Sequence, residues 1–333
     1  MPTDTLLDFE EPIAVLQKEI EALTLLPKTD ARDREIESLR RRVDSVRGEL
    51  YRNLTAWQRV LVARHPNRPG LNEYIERLFP NFIEIHGDRR FADDHAIVTG
   101  FAEYHGDPVL LVGHEKGSDT KEKIFRNFGY ARPEGYRKAL RAMRLAEKFG
   151  RPIIVFVDTP AAYPGIDSEE RGVAEAIAVN LREMMLLDTP IVVLVSGEGG
   201  SGGALGIAIG DRVLMQEFSI YSVIPPEGCA AILWRDAGKK VEATEALKVT
   251  APDLLAAGII DEIVAEPRGG AHADPDAAAR TVDEVLQRVL ADVRALSSAD
   301  RLEQRYDKFR AMGRAGMDFV EDGGVPGSPP RRT

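Results

Sequence analysis

Cysteine occurs once in the 333 residues, at Cys229, so no disulfide can form within the chain and no cysteine-based zinc ribbon can be built from it. A lone thiol of this kind is expected to be buried rather than reactive. Histidine is sparse as well: His65, His86, His95, His105, His114 and His272 are scattered without an H-E-x-x-H pair or a comparable metal spacing, and no metal site is expected. For His86 and His272, structural hydrogen bonding is a better reading than a substrate-side role. No apolar run approaches the ~20 residues that span a bilayer. The acidic start, with Asp4, Asp8, Glu10 and Glu11, does not read as a signal peptide, so a soluble, cytoplasmic protein with no membrane partner is expected. A net charge of −10 argues against nonspecific nucleic-acid binding. The length sets a prior of about two domains, and an apolar content of 44% suffices for a large core.

What the chain does have is glycine in one place. Gly197-Glu198-Gly199-Gly200-Ser201-Gly202-Gly203 follows the apolar run Ile191 to Val195 and opens a helix-like run from Ala204 to Ile209. A strand that delivers glycines to a helix start leaves backbone N–H groups unpaired, with no Cβ to keep an oxygen away. Three chemistries fit. Gly197, Gly199 and Gly202 match a dinucleotide fingerprint, with Glu217 twenty residues beyond Gly197, but the helix is short and the junction lies mid-chain. Gly199, Ser201 and Gly203 match a nucleophile elbow with Asp261 and His272 downstream, although Ser201 reads equally as a helix cap. In the third, the amides of Gly202 and Gly203 stabilise developing charge on an oxygen.

A second junction lies upstream, where Ile153 to Val157 runs into Asp158-Thr159-Pro160-Ala161-Ala162-Tyr163-Pro164-Gly165, followed by a helix pattern from Glu169 to Leu187. The two junctions are about forty residues apart, one strand plus one covering helix, so both turns can emerge at the same sheet edge.

Elsewhere the pattern is regular. Ile13, Leu16, Ile20 and Leu23, then Ile36, Leu39, Val43, Val46 and Leu50, repeat at helical spacing around a break at Pro27 to Asp30, which predicts a helical hairpin over 1–62. Arg40-Arg41-Arg42 reads as its exposed face. A main domain over 63–313 begins with a strand pair, Ile97 to Tyr104 and Pro108 to His114. A helix from Tyr136 to Phe149, strands at Arg212 to Gln216, Ile220 to Ile224 and Ile259 to Val264, and closing helices at Asp276 to Leu296 and Ala299 to Met312 follow. This alternation predicts parallel α/β packing. The Gly/Pro-rich stretch within 314–333 predicts a disordered tail.

The chain resembles the alpha subunits of the bacterial and plastid multi-subunit acetyl-coenzyme A carboxylase carboxyltransferase. The residues that carry this include Leu7-Asp8-Phe9-Glu10, Ala63-Arg64-His65-Pro66, Gly87-Asp88-Arg89, Asp119-Thr120-Lys121-Glu122-Lys123, Arg126-Asn127-Phe128-Gly129 and Pro133-Glu134-Gly135-Tyr136. On the C-terminal side they continue through Glu169-Glu170-Arg171-Gly172, the glycine junction, Tyr221-Ser222-Val223-Ile224, Pro226-Glu227-Gly228-Cys229 and Gly269-Gly270-Ala271-His272. The likeness is collinear over residues 5 to 313.

The resemblance implies a crotonase-like (ClpP/crotonase) superhelix of β-β-α units preceded by the helical hairpin. It implies carboxyl transfer from carboxybiotin, held on a separate biotin carboxyl carrier protein, to acetyl-coenzyme A, giving malonyl-coenzyme A for fatty acid synthesis. It also implies a zinc-ribbon beta subunit in an α2β2 assembly, working beside a biotin carboxylase. On this reading Gly202, Gly203, Ala161, Ala162 and Gly165 form the oxyanion sites, Gly199 and Gly200 line the substrate, and Tyr163 meets the biotin. Lys116 and Arg126, in glycine-flanked loops, are the favoured phosphate contacts for coenzyme A. The other cations of that region, Lys121, Lys123, Arg132, Arg137, Lys138, Arg141 and Arg144, suit either phosphate or a solvated helix face. The chain departs from the family at Ala161, where glycine is usual and a Cβ disfavours positive φ, and at Ser118 and Ala273, where arginine is usual. A crotonase-fold hydratase or hydrolase and a noncatalytic scaffold are the competing readings; Glu198 is the single carboxylate near the junctions that a hydratase could use.

Overall fold

The computed structural model describes residues 6–313; the tail expected at 314–333 lies outside them. Helices α1 (Glu11–Thr24) and α2 (Asp30–Arg52) form the expected hairpin. Ile13, Leu16 and Val43 are its buried seam, flanked by Ile20, Leu39, Val46 and Leu50. Thr29 caps α2 by accepting from the Arg32 amide, which satisfies one of the orphan donors of the first turn. Within the hairpin region the Tyr51 hydroxyl donates to buried Glu10 at 2.7 Å, and the Tyr51 ring packs edge-on against Phe218 of the remainder. Helix α3 (Ala56–Ala63) already belongs to the main body, packing on strands of the sheet, so a division at 62/63 cuts through it.

Next in the chain come α4 (Leu71–Leu78), β1 (Ile83–Glu84), β2 (Ile97–Tyr104), β3 (Asp107–His114), α5 (Thr120–Phe125), α6 (Pro133–Lys148), β4 (Ile153–Thr159), α7 (Ile166–Glu170) and α8 (Val173–Leu186). They are followed by β5 (Ile191–Gly200), α9 (Ser201–Leu205), β6 (Arg212–Gln216), β7 (Ile220–Ser222), α10 (Pro226–Leu233), α11 (Lys240–Leu247), α12 (Ala251–Ala256), β8 (Glu262–Val264), α13 (Pro275–Arg294) and α14 (Ser298–Ala311). The sheet runs β1-β2-β3-β4-β5-β6-β8, with β7 paired to the far end of β5. The β1-β2-β3 end is antiparallel and the rest parallel.

Both faces of the sheet are covered, which is why its central strands read as unbroken apolar runs rather than alternating ones. Ile153, Val155 and Val157 of β4 face the core containing Tyr136, Ala139 and Met143 of α6. Ile154 and Phe156 face the opposite core, with Tyr74 of α4 and Leu286 of α13.

Three expected elements changed shape. Strand β5 runs on through the glycines to Gly200 because Glu198, Gly199 and Gly200 pair with Ile220, Tyr221 and Ser222 of β7, a long-range contact that local pattern does not reveal. The helix expected from Glu169 to Leu187 is two helices, split at Gly172, whose φ of 77° suits glycine. The helix after the glycines is the short α9.

Arg305 closes the fold. Fully enclosed, it donates to both Asp211 carboxylate oxygens at 2.8 and 3.0 Å and to the carbonyls of Met184, Leu187 and Thr189. Asp211 also accepts from the Ile191 amide at 2.7 Å, so α14, the end of α8 and the start of β5 share one ion pair. Arg305→Leu should destabilise the protein by about 3–5 kcal/mol, because Asp211 is left buried without its counter-charge. Chemical denaturation followed by circular dichroism measures this.

Candidate active site

The carboxyl ends of β3, β4 and β5 converge on one knot of charge. Lys116, just past β3, reaches Asp158 at 2.6 Å and Glu198 at 2.7 Å. Arg64, at the end of α3, donates to Glu198 at 2.6 Å and to Glu227 of α10 at 2.7 Å. Asp158 also accepts from the Glu198 amide at 2.8 Å. Gly197 is required here by close approach, since a Cβ would press into the Asp158 carboxylate.

Burial by itself would raise the Glu198 carboxyl, but the charges of Lys116 and Arg64 and their hydrogen bonds outweigh it and hold the group at about 2. Burial likewise opposes the charge on Lys116, while Asp158 and Glu198 override it and raise the ammonium above its ordinary range. Lys116 is therefore kept charged, with its ammonium paired to two carboxylates at the edge of the cleft. Glu198 is thus held as a carboxylate with its two oxygens committed to Arg64 and Lys116.

The two strand-to-turn junctions touch. A Cβ on Gly203 would overlap the Ala161–Ala162 peptide, and one on Gly200 would overlap the Pro160 carbonyl. Gly199 packs under the Tyr221 ring, so the missing side chains of Gly199 and Gly200 serve strand packing. Gly202, by contrast, has open space, its nearest neighbour being Ile177 Cδ1 at 3.6 Å from an added Cβ. The Ala161 turn is stitched to residues 129–131. The Thr159 hydroxyl contacts the Gly129 carbonyl at 2.7 Å and the Ala161 carbonyl at 2.8 Å, Ala131 bridges Ala162, and the Tyr163 amide donates to Ala131 at 2.9 Å. Ala161 is not among the residues with positive φ, so its Cβ introduces no backbone strain. The Tyr163 ring lies beneath the Arg132 guanidinium at 4.6 Å, and Gly165 caps α7.

Beside the knot opens a cleft of about 600 Å³, bounded by Lys116, Asp158, Pro160, Glu198, Phe128 and Tyr130 among others. Arg126 does not reach it: its guanidinium donates to the His95 carbonyl at 3.2 Å and lies 3.8 Å from Glu122. The cations of α6 are engaged within the protein, except that Arg144 is exposed and pairs with Glu183 at 2.7 Å. Arg137 pairs with Asp88 at 2.8 Å and Glu134 at 3.0 Å, Arg141 holds the Gly87 carbonyl, and the enclosed Lys138 binds Asp93 at 2.6 Å. Together they fix the Gly87-Asp88-Arg89 loop.

Ser201 stands at the elbow with φ 54°, a left-handed conformation unfavourable for serine. A hydrolytic triad is not assembled around it. His272 stacks on His65 at 3.8 Å and is held neutral, down at about 3, by burial first and then by the neighbouring His65 and arginines. Asp261 accepts from the Val213 amide and from Lys308. His86 bonds Asp93 at 2.9 Å, and Cys229 is buried. Arg64, Asp158 and Pro160 are the site residues whose part sequence reasoning missed; Arg64 lay in a quoted motif, but nothing local shows that a charge will be enclosed.

Two backbone turns meet at the carboxyl edge of a mixed sheet, the arrangement of a crotonase-like fold. Solved structures agree on the fold. Transcarboxylase 12S, with methylmalonyl-coenzyme A bound, superposes with a TM-score of 0.54 at 19% identity, covering 67% of this chain and 42% of that one. A chain of a Pseudomonas malonate decarboxylase hetero-tetramer in complex with coenzyme A superposes with a TM-score of 0.55 at 17% identity, covering 75% of this chain and 98% of that one. The chain belongs to the acetyl co-enzyme A carboxylase carboxyltransferase-like family, whose sequence profile matches residues 6–313. It is 56% identical over 309 residues to the acetyl-coenzyme A carboxylase carboxyl transferase subunit alpha of Geobacter metallireducens, covering 92% of this chain and 97% of that protein. It is 54% identical over 318 residues to the subunit of the same name from Anoxybacillus flavithermus, covering 95% and 96%. Carboxyl transfer to acetyl-coenzyme A is the family's function, and the chain is a transferase subunit.

The depressed Glu198 carboxyl generates a test. Because its folded value lies below the ordinary carboxylate range, its ionic stabilisation is complete above about pH 4.5 and is lost as pH falls toward about 2. The stability difference between wild type and Glu198→Gln should accordingly be largest near neutrality and shrink over that acid window, as read by urea denaturation at a series of pH values. A difference that stays constant with pH would show that Glu198 contributes no charge to the knot.

Proposed function

We propose that the peptide groups of the Ala161–Gly165 turn and of Gly202–Gly203 are the oxyanion sites for carboxyl transfer from carboxybiotin to acetyl-coenzyme A. The observation that supports this is the direct contact of Gly203 with the Ala161–Ala162 peptide, since two amide-bearing turns that touch can serve one reacting centre. In the transfer, the bond from the biotin ring nitrogen to the carboxyl carbon breaks and the electron pair stays on the ureido group. That group takes the methyl proton of the thioester, and the enolate carbon forms a bond to the released carbon dioxide. Both the ureido oxygen and the thioester oxygen gain negative charge, and preorganised N–H donors stabilise it without a side-chain base.

The cleft beside the knot is assigned to the biotinyl arm. Its lining bears six carboxyl groups, Glu73, Glu76, Glu115, Glu122, Asp158 and Glu198, against Arg64, Arg68, Lys116 and Lys123. That excess is unfavourable for the several phosphate charges of coenzyme A, whereas carboxybiotin carries a single carboxylate at its reacting end. The coenzyme A body then lies against a beta subunit, with the arm arriving on a biotin carboxyl carrier protein charged by biotin carboxylase, in an α2β2 cytoplasmic assembly. Among the described residues no helix is long and apolar enough to cross a membrane.

The test is carboxyl transfer by the chain coexpressed with its beta partner. Gly203→Ala drives the two turns apart and should lower kcat on the order of 100-fold, the loss of one aligned donor. Gly202→Ala, which has room and keeps its N–H, and Ala161→Gly, at a position without positive φ, should each stay within about threefold of wild type. Full activity in a folded Gly203→Ala variant would refute the assignment.

A further inference from the structure

Between α5 and α6 the backbone makes a left-handed excursion. Asn127, Phe128 and Gly129 have φ of 49°, 55° and 79° in succession. Glycine adopts this region freely and asparagine tolerates it, but a residue with a bulky ring does so at a cost. Such strain survives only where surrounding contacts impose it, and it gathers at functional sites. Here the imposing contacts are visible. The Asn127 amide group donates to the Tyr130 carbonyl at 2.8 Å, and the Tyr130 amide donates back to the Asn127 carbonyl at 2.9 Å. The Gly129 carbonyl is bonded by Thr159, and Gly129 presses so closely on Lys116 that a Cβ would meet its Cγ at 2.8 Å.

The strained turn therefore rests on the charge knot and is laced to the Ala161 turn, yet the ring it carries is not buried. Phe128 is 50% exposed and lines the cleft together with Tyr130 and Pro160. A half-exposed phenylalanine gains little from folding, so the anchoring of this segment is not explained by core packing. The geometry points to Phe128 as a substrate-contact residue, the apolar wall of the cleft against which the biotinyl ring rests. This rests on the assignment of the cleft to the biotinyl arm.

The experiment uses the assembled alpha–beta enzyme and free biotin as the probe, in the reverse direction, with malonyl-coenzyme A as carboxyl donor. Phe128→Asn and Phe128→Gly keep the left-handed backbone, at lower cost, and remove the ring. Both should raise KM for biotin about 3- to 10-fold, the worth of one apolar ring contact. KM for malonyl-coenzyme A should be unchanged, and the Tm of Phe128→Gly should match or exceed that of wild type. Phe128→Tyr should restore the biotin KM. A purely structural residue would instead lower Tm and kcat with both KM values unmoved, and that result would overturn the inference. An unchanged biotin KM in assembled Phe128→Asn and Phe128→Gly, or an equal rise in both KM values, would overturn it too. If the wild-type pair assembles but transfers no carboxyl group, the functional reading itself fails and this inference falls with it; wild-type transfer with an indifferent Phe128 removes the inference alone.

Discussion

The site depends on a buried ionic knot in which Lys116, Asp158, Glu198 and Arg64 join the ends of three parallel strands and a helix. Burying Asp158 and Glu198 beside the half-buried Lys116 and Arg64 carries a desolvation cost that their mutual attraction offsets only with good geometry. What the arrangement secures is relative position. Asp158 accepts from the backbone of Glu198, so the last residues of β4 and β5 are locked side by side, immediately before each chain turns out of the sheet. A shift of one strand against the other would separate opposite charges that are partly shielded from solvent, at a cost beyond the loss of a few apolar contacts.

With the strand ends fixed, the Ala161–Ala162 peptide and Gly203 are held in contact; on the proposed reading, donors whose positions are set in advance need no reorganisation as charge develops. The same logic reassigns the ionisable groups nearby. Glu198 and Lys116 look like an acid–base pair by type, but each is committed to the other. His114, enclosed behind the site, is kept neutral, down at about 3, chiefly by burial and then by the charge of Lys116.

Much of the scaffold was legible because hydrophobic period reports burial directly. The hairpin seam of Ile13, Leu16 and Val43, the β2–β3 pair and the alternating helices and strands after it follow from spacing. What escaped depends on partners distant in sequence. The extension of β5 through Gly200 needs β7, and the enclosure of Lys138 needs Asp93 and the Asp94 carbonyl. Residue type alone cannot separate a cation that meets phosphate from one that meets a buried carboxylate. This is why Lys116 and Arg126 suggested phosphate contacts and proved to be engaged within the protein. The glycine string matched three chemistries for a related reason: a motif records which side chains are missing, and only the folded chain shows whether a ligand, Tyr221 or Pro160 occupies the space.

The three departures from family usage bear on whether the chain is a scaffold that has lost its chemistry. Ala161 keeps its peptide group and avoids positive φ, so the exchange removes no donor from the turn. Ser118 donates through both its amide and its hydroxyl to Glu122, giving the loop after Lys116 an anchor that does not require a guanidinium. Ala273 is exposed at the surface, away from the apposed turns. A decayed site would be expected to lose what costs most to keep, namely buried charges without an apolar substitute and bulky residues in left-handed backbone. This chain keeps Asp158 and Glu198 buried against a half-buried Lys116 and holds Phe128 at φ 55° nearby. Features that lower stability persist where function maintains them, which sets this subunit among working transferases rather than scaffolds.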